Sequence, residues 1–303
     1  MADTAFLCSE LTREAGTQQF GSAQIAKLWF LIEYPRPYGA QAIEDFWRDE
    51  FAGVDHTPLS AYPASRFQLI KRKESEQKAD FTLFAAVADE LQPRLYEFRL
   101  HTYHDLLTLD VPALLAGDAK YDSARRDTPL YLVCTNGKRD QCCAKHGVAF
   151  YHEVLKRAGE AAWESSHIGG HRFAATMIVF PYALYYGQVS AAEVQTIIEL
   201  TERGSVYYEK MRGRACYTRE AQVAEYYLRD ATGVRALAAF KLLHITRNED
   251  SVWTARFQAL ESALVHRVEF EQSDSSWEVY ASCADAAPKR DFVYRLLHHG
   301  VEE

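Results

Sequence analysis

The sequence predicts a mixed α/β (α+β) protein, and three observations carry that prediction. Two uninterrupted apolar runs, KLWFLIEY (Lys27 to Tyr34) and LYLV (Leu130 to Val133), have the length and the β-branched and aromatic content of buried strands. Stretches such as Val194 to Thr201 and Arg219 to Ala231 place apolar residues at helical spacing between recognisable start and stop signals. The last part of the chain alternates polar and apolar residues over Trp253 to Phe257, Val265 to Phe270 and Trp277 to Tyr280, which predicts an antiparallel meander.

The elements follow in order. The strand Lys27 to Tyr34 ends at Pro35-Arg36-Pro37, and Ala40 to Asp49 then reads as a helix. Phe67 to Arg72, Phe81 to Val87 and Leu95 to Leu100 read as strands separated by polar turns. Between Leu115 and Asp127, Gly, Asp, Ser and Arg replace the apolar pattern, so the domain boundary is expected there. Leu130 to Val133 is a short strand, followed by the loop Cys134 to Cys143. The next helix is expected to bury Val148, Tyr151, Val154 and Leu155 and to end at Gly159. Ala161 to Ser165 reads as a strand, and Phe173 to Phe180 with Leu184 to Val189 as a hairpin around Pro181. Ser190 and Glu193 form a capping box for a helix that buries Val194, Ile197, Ile198 and Thr201 and stops at Gly204. The β-α-β-β-β-α order from Leu130 to Gly204 fits a small thioredoxin-like layer of helices on a sheet. A further helix, Arg219 to Ala231, carries Ala224, Tyr227, Leu228 and Ala231 on one face and ends at Gly233.

Composition narrows the function. In a chain of 303 residues with a net charge of −8, a concentrated basic face for nucleic acid is not expected. No apolar run approaches the ~20 residues that span a bilayer. Asp3, Glu10, Arg13 and Glu14 argue against a secretory signal in the first residues. The 6 cysteines, at 8, 134, 142, 143, 216 and 283, are too sparse for a disulfide scaffold. A cytoplasmic protein with metal chemistry in a reducing compartment is the expectation.

Two motifs carry that chemistry. The first is Cys134-Thr-Asn-Gly-Lys-Arg-Asp-Gln-Cys142-Cys143-Ala-Lys-His-Gly147, and the second is His167-Ile-Gly-Gly-His171. Sets of thiolates and imidazoles suit iron–sulfur clusters, zinc or copper. The second cysteine stands at a helix start, where the dipole and free N–H groups stabilise a thiolate. Gly169-Gly170 makes a poor helix interior, costing about 1 kcal/mol per glycine relative to alanine. It makes a good loop for close approach to a bulky group, so the two histidines read as loop ligands rather than a helical zinc pair. Spacing alone leaves an iron–sulfur cluster and a Cys2His2 zinc site both open.

At these residues the sequence resembles the sucrase/ferredoxin-like family, whose cluster domain is a thioredoxin-like ferredoxin. The matching stretches are LYLVCTNGKRDQCCAKHG (Leu130 to Gly147), WESSHIGGHRFAATMIVFP (Trp163 to Pro181), YYGQV (Tyr185 to Val189) and RGRACYTREAQVAEYYLR (Arg212 to Arg229). Weaker matches are CSELTREAGTQQFGSA and WFLIEYPRPYG near the N-terminus. The resemblance implies a [2Fe-2S] cluster held by Cys134, Cys143, His167 and His171. Cys143 is preferred over its neighbour Cys142 because Cys143-Ala-Lys-His-Gly147 fits the family's register. Pro181-Tyr182-Ala183 departs from the family in lacking a turn glycine.

The resemblance further implies three regions. A degenerate thioredoxin-like N-terminal domain without a cluster spans 1–120, the thioredoxin-like ferredoxin domain spans 128–235, and a C-terminal antiparallel β extension spans 236–303. Cys8, Cys216 and Cys283 are expected to be structural thiols. Lys138, Arg139, Arg172, Arg212 and Arg214 read as solvated cations or as the edge of the cluster, and His146 and His152 as exposed helix residues. The implied function is one-electron transfer, proton-coupled through the imidazoles, between a flavin or ferredoxin reductase and an acceptor, without nucleic acid or membrane partners and without substrate conversion. A structural or regulatory zinc domain and a cluster-based redox sensor stand as alternatives. A thiol oxidoreductase ranks last, because Cys142 and Cys143 are adjacent rather than a Cys-x-x-Cys pair. No carboxylate pair stands out for glycosidase chemistry.

Overall fold

Why the first apolar run is continuous becomes clear from its place in the structure: it is an inner strand covered on both faces. The computed structural model describes residues 6–77 and 80–302. Met1 to Ala5, part of the stretch read as lacking a secretory signal, lie outside the described residues. From the N-terminus, α1 (Cys8–Glu14) precedes β1 (Leu28–Glu33), then α2 (Ala42–Glu50), α3 (Thr57–Ser60) and β2 (Ser65–Lys71). β3 (Phe81–Val87), β4 (Arg94–Leu100) and α4 (Val111–Ala116) follow. The next run is β5 (Leu130–Cys134), α5 (Gln141–Ala158), β6 (Ala162–Ser165), β7 (Met177–Phe180) and β8 (Leu184–Tyr186). It continues with α6 (Val194–Glu202), β9 (Met211–Arg214) and α7 (Arg219–Thr232). The chain closes with β10 (Phe240–Arg247), β11 (Val252–Ala259), β12 (Val265–Val279) and β13 (Lys289–Glu302).

The fold is mixed α/β with two sheets. A 9-stranded sheet runs β4-β3-β1-β2-β6-β5-β7-β8-β9, and a 4-stranded antiparallel sheet runs β10-β11-β12-β13. In the large sheet β1 pairs with β2 in parallel and β5 pairs with β6 in parallel. Each parallel pair is flanked by an antiparallel strand, β3 on β1 and β7 on β5. The order β4-β3-β1-β2 is therefore mirrored by β8-β7-β5-β6, and the two runs meet where β2 pairs antiparallel with β6 through Ile70↔Ser165 and Lys71↔Glu164.

β1 shows how the sheet is filled. Leu28, Phe30 and Ile32 join the core beneath α2 with Phe46 and Leu69, while Trp29 and Leu31 point to the opposite core with Leu132, Trp163, Phe180 and Tyr185. Burying one such large apolar side chain contributes about 1.5–3 kcal/mol. A third core lies beneath α5 and α6, and a fourth joins α7 to the small sheet. No helix among the described residues is long and apolar enough to cross a membrane.

Several expectations are corrected. α5 turns Cys143, Gly147, Phe150, Tyr151 and Val154 inward, while Val148 and Leu155 are exposed, because strand β5 approaches the helix along the row that contains the small Gly147. Ala231 faces solvent at the end of α7. Phe173 belongs to a 3-10 turn, His171–Phe173, rather than to the hairpin. The stretch read as a domain boundary contains a 3-10 turn, Ala119–Ala124, and just after it the Arg126 N–H donates to Leu95 O on β4; this leaves the boundary reading as it stood. Arg212 and Arg214 are buried in β9, and Arg172 pairs with Asp291 at 2.7 Å. The hairpin turn lacks glycine, yet Ala183 adopts φ 43°, the left-handed conformation in which glycine is favoured.

Candidate metal centre

Two adjacent parallel strands bring the two motifs together. β5 ends on Cys134, whose register partner on β6 is Ser165, so the loops that leave the carboxyl ends of both strands start side by side. The first loop returns into α5. Its Asp140 is the N-cap, accepting a hydrogen bond from the Cys142 N–H at 2.9 Å. Cys143 is thereby placed in the first helical turn. At Gly147 the helix presses onto the end of β5; a methyl group there would fall inside contact distance of the Cys134 carbonyl oxygen. The second loop carries His167 and His171, with Gly169 and Gly170 at φ 88° and 71°.

Cys134 Sγ and Cys143 Sγ each lie 3.8 Å from His167 Nδ1. The three donor atoms fall within 4.8 Å of one another. His171 stands outside this trio, its ring 4.9 Å from that of His167. Its Nε2 is 3.7 Å from the buried Asp140 Oδ2, and its Nδ1 is buried without a hydrogen-bond partner. A buried nitrogen that lacks a partner suits a metal ligand whose other nitrogen faces a carboxylate. Both thiols are buried and His167 is half-buried, so the site is closed on the protein side and reaches the surface through the histidine. Cys142, although next to Cys143, turns away from the trio towards Cys8 and Cys283.

The electrostatics favour shedding a proton from the thiol pair. A hydrogen bond from Cys143, reinforced by His167 and the Asn136 N–H, holds the Cys134 thiol well below its ordinary range despite burial. Its contact with Cys134 and its own burial push the Cys143 thiol up. Burial lowers the His171 imidazole, opposed by Asp140. Asp140 is itself held below the usual carboxylate range: burial pushes it up, but the N–H groups of Cys283 and Cys142 outweigh that.

Sequence reasoning did not show how the loops are held, and it left Arg212 open between a solvated cation and the edge of the cluster. Arg212, reaching in from β9, donates from Nη1 to Gly169 O at 2.9 Å and from Nη2 to Ser22 O at 2.6 Å. Its guanidinium lies 5.4 Å from the rings of both Phe173 and Tyr185, and burial lowers it to about 10, so it remains a cation at neutral pH. Asn136 Nδ2 donates to Gly39 O at 3.0 Å, and Gln68 Nε2 donates to Ser166 O at 2.7 Å. The N-terminal half therefore pins both motif loops. The only local sign of this was that charged and amide side chains sit in or beside apolar strands. Lys138 and Arg139 are exposed at the rim, as is His152, while His146 is half-buried 3.7 Å from Glu10.

The model of the sucrase/ferredoxin-like family matches residues 19–213, which includes both motifs and more than half of the chain. The chain belongs to the sucrase/ferredoxin-like family. No curated protein and no solved structure matches it. In this member the matched region ends at Gly213, so Arg212 falls inside the family segment, Arg214 at the end of β9 falls just outside it, and α7 and the small sheet lie beyond it.

Cys and His side chains gathered in this way can hold a metal. The donor types and the unpartnered Nδ1 of His171 fit a Cys2His2 set. The Cys134–Cys143–His167 trio alone has the spacing of a single tetrahedral ion, for which sulfur and nitrogen ligands stand about 3.6 Å apart. Together with His171, the same residues could hold a binuclear iron–sulfur cluster, which would supply one-electron chemistry.

Proposed function

We propose that this protein is a one-electron carrier whose Cys134, Cys143, His167 and His171 hold a [2Fe-2S] cluster, working between a flavin or ferredoxin reductase and an acceptor protein. The observation that carries this reading is the convergence of both thiols of one family-matched motif with His167 of the other, with the His171 ring 4.9 Å from that of His167. Such a cluster supplies reversible one-electron chemistry, and with two neutral imidazoles in place of thiolates its potential lies roughly between −150 and +300 mV, against about −400 mV for plant-type all-cysteine ferredoxins.

The chain's own residues account for the rest. Cys134 and Cys143 bring sulfur donors from the buried side and keep water away from them. His167 lies at the half-exposed edge, beside a surface groove that includes Gln41, Arg66 and Arg139, where a redox partner can approach. Asp140 faces Nε2 of His171 and orients a proton there. Proton loss from that nitrogen makes reduction harder, so the potential falls as pH rises.

The compact Cys134–Cys143–His167 spacing supports a second reading, a zinc site with a structural or regulatory role. Visible absorption and reduced-state EPR of the anaerobically purified protein separate the two, with His167→Cys and His171→Cys alongside. A red-brown protein whose rhombic reduced signal shifts in both variants supports the carrier. A colourless protein with zinc and no iron overturns it in favour of zinc.

A further inference from the structure

Cys8, Cys142 and Cys283 come from α1, from the first turn of α5 and from the segment between β12 and β13, yet their sulfurs form a nearly equilateral triangle. The Sγ–Sγ distances are 3.6 Å for Cys8–Cys142, 3.3 Å for Cys142–Cys283 and 3.5 Å for Cys283–Cys8. All three are free thiols. The carboxylate of Asp140 completes the group, with Oδ1 4.0 Å from Cys8 Sγ and all four donor atoms within 4.8 Å of one another.

The surroundings hold this arrangement in place. Asp140 Oδ2 accepts from the Cys283 N–H and from Ser282 Oγ, each at 3.0 Å, while Oδ1 takes the Cys142 N–H. The Cys8 N–H points at Cys283 Sγ at 3.4 Å, a donor suited to a thiolate. Ala174 and the tilted ring pair Phe6 and Tyr280, with centroids 4.3 Å apart, cover the group with apolar surface. Cys8 and Cys142 are buried, and Cys283 is half-buried and provides the way in.

A disulfide would join two of these sulfurs and leave the third buried thiol alone. Three near-equal separations instead match one face of a tetrahedron, in which thiolates bound to zinc at about 2.3 Å stand about 3.8 Å apart. We propose that Cys8, Cys142 and Cys283, with Asp140 as the fourth ligand, bind one zinc ion at a second site beside the first. Binding moves no electron; the thiol protons pass to solvent as the sulfurs take the metal. Cys8 and Cys283 lie 275 residues apart, so the ion ties both ends of the chain to the start of α5. Closing so long a loop gives a large constraint on the unfolded chain.

The site is tested on the full chain by elemental analysis and by anaerobic titration with Zn²⁺, using Co²⁺ as the spectroscopic probe. The Cys134→Ser variant is expected to keep one equivalent of zinc, with thiolate-to-cobalt charge-transfer absorption. Cys283→Ser, a change at the half-exposed edge, is expected to lower zinc affinity on the order of 100-fold or more and to lower the melting temperature, with Cys8→Ser behaving alike. Iron content and the visible spectrum report on the Cys134 site, so the two proposals fail separately. Undiminished zinc binding in Cys283→Ser overturns this one. So does a metal-free wild-type protein after titration, or one whose mass shows a disulfide among the three.

Discussion

Arg212 Nη1 donates to the carbonyl of Gly169 at 2.9 Å, from a side chain that is almost wholly out of contact with water. The flat guanidinium fork spans Ser22 and the histidine loop at once, and an ammonium cannot. Gly170 has no side chain because the guanidinium occupies the place where one would stand.

Arg212→Lys is therefore expected to cost about 3 kcal/mol of stability, since hydrogen bonds from a charged donor are each worth about 1.5–3 kcal/mol. It should also reduce the metal content of the purified protein. Chemical denaturation and elemental analysis check this, and a lysine variant with wild-type values for both would show that the fork is not what holds the loop.

Gly147→Ala inserts a methyl group between α5 and the end of β5, against the Cys134 carbonyl. Overpacking of this kind costs about 1–3 kcal/mol. The helix has to shift, and Cys143 moves with it away from Cys134. The expected result is a lower denaturation midpoint together with an altered metal spectrum. Ala149→Gly, at an exposed position two residues further along the same helix, should leave that spectrum unchanged.

Glu225 lies between Arg214 and Arg229, bonded to the first at 2.9 Å and to the second at 3.0 Å, with all three side chains buried. Burial pushes its carboxyl up, but the two guanidinium groups overrule this and hold it below the usual range. With the folded value below the unfolded one, its stabilisation is complete above the unfolded carboxylate pKa. It is lost as pH falls through the folded value. Glu225→Gln leaves two buried cations uncompensated and should cost about 3–5 kcal/mol at neutral pH. Denaturation measured from neutral pH into acid should show a flatter acid limb in the variant than in the wild type.

Asp140→Asn separates two duties of one side chain. Asparagine caps helices about as well as aspartate, so the Cys142 N–H keeps its partner. The negative charge that receives Ser282 and Cys283 is lost, at about 1–3 kcal/mol. Amide hydrogen exchange should accelerate at Cys283 and stay slow at Cys142. Equal acceleration at both would mean that the cap itself had failed.

Much of the site was legible because its signals are local. β1 and β5 carry unbroken apolar runs since both their faces are covered, and the capping box of Ser190 and Glu193 forms as their spacing indicates. The two motifs converge because parallel strands place their carboxyl ends side by side. What sequence alone could not reveal depends on distant partners. Cys8 and Cys283 read as isolated thiols because nothing near either one announces the other. Arg212 and Arg214 stayed open between solvated cations and the edge of the cluster because the bonds that justify their burial come from Ser22, Gly169, Glu90 and Glu225. β10 and β13 escaped notice because much of their length is exposed and their few buried residues, such as Phe240 and Tyr294, meet α7 rather than a regular inner face.

The seam between β2 and β6 bears on whether part of this protein can be dispensed with. Only Ile70↔Ser165 and Lys71↔Glu164 are in register there, but Gln68 and Ser166 extend the join, and the histidine loop starts from it. Cutting the chain down to residues 128–235 would leave the backbone of β6 unpaired along one side, an open edge prone to recruiting another molecule. The same cut would remove Gly39, Gln68 and Ser22, which hold the two motif loops and Arg212. The N-terminal half thus acts as a clamp, and a minimal fragment that keeps every candidate ligand of the first centre would still lose the means of aiming them.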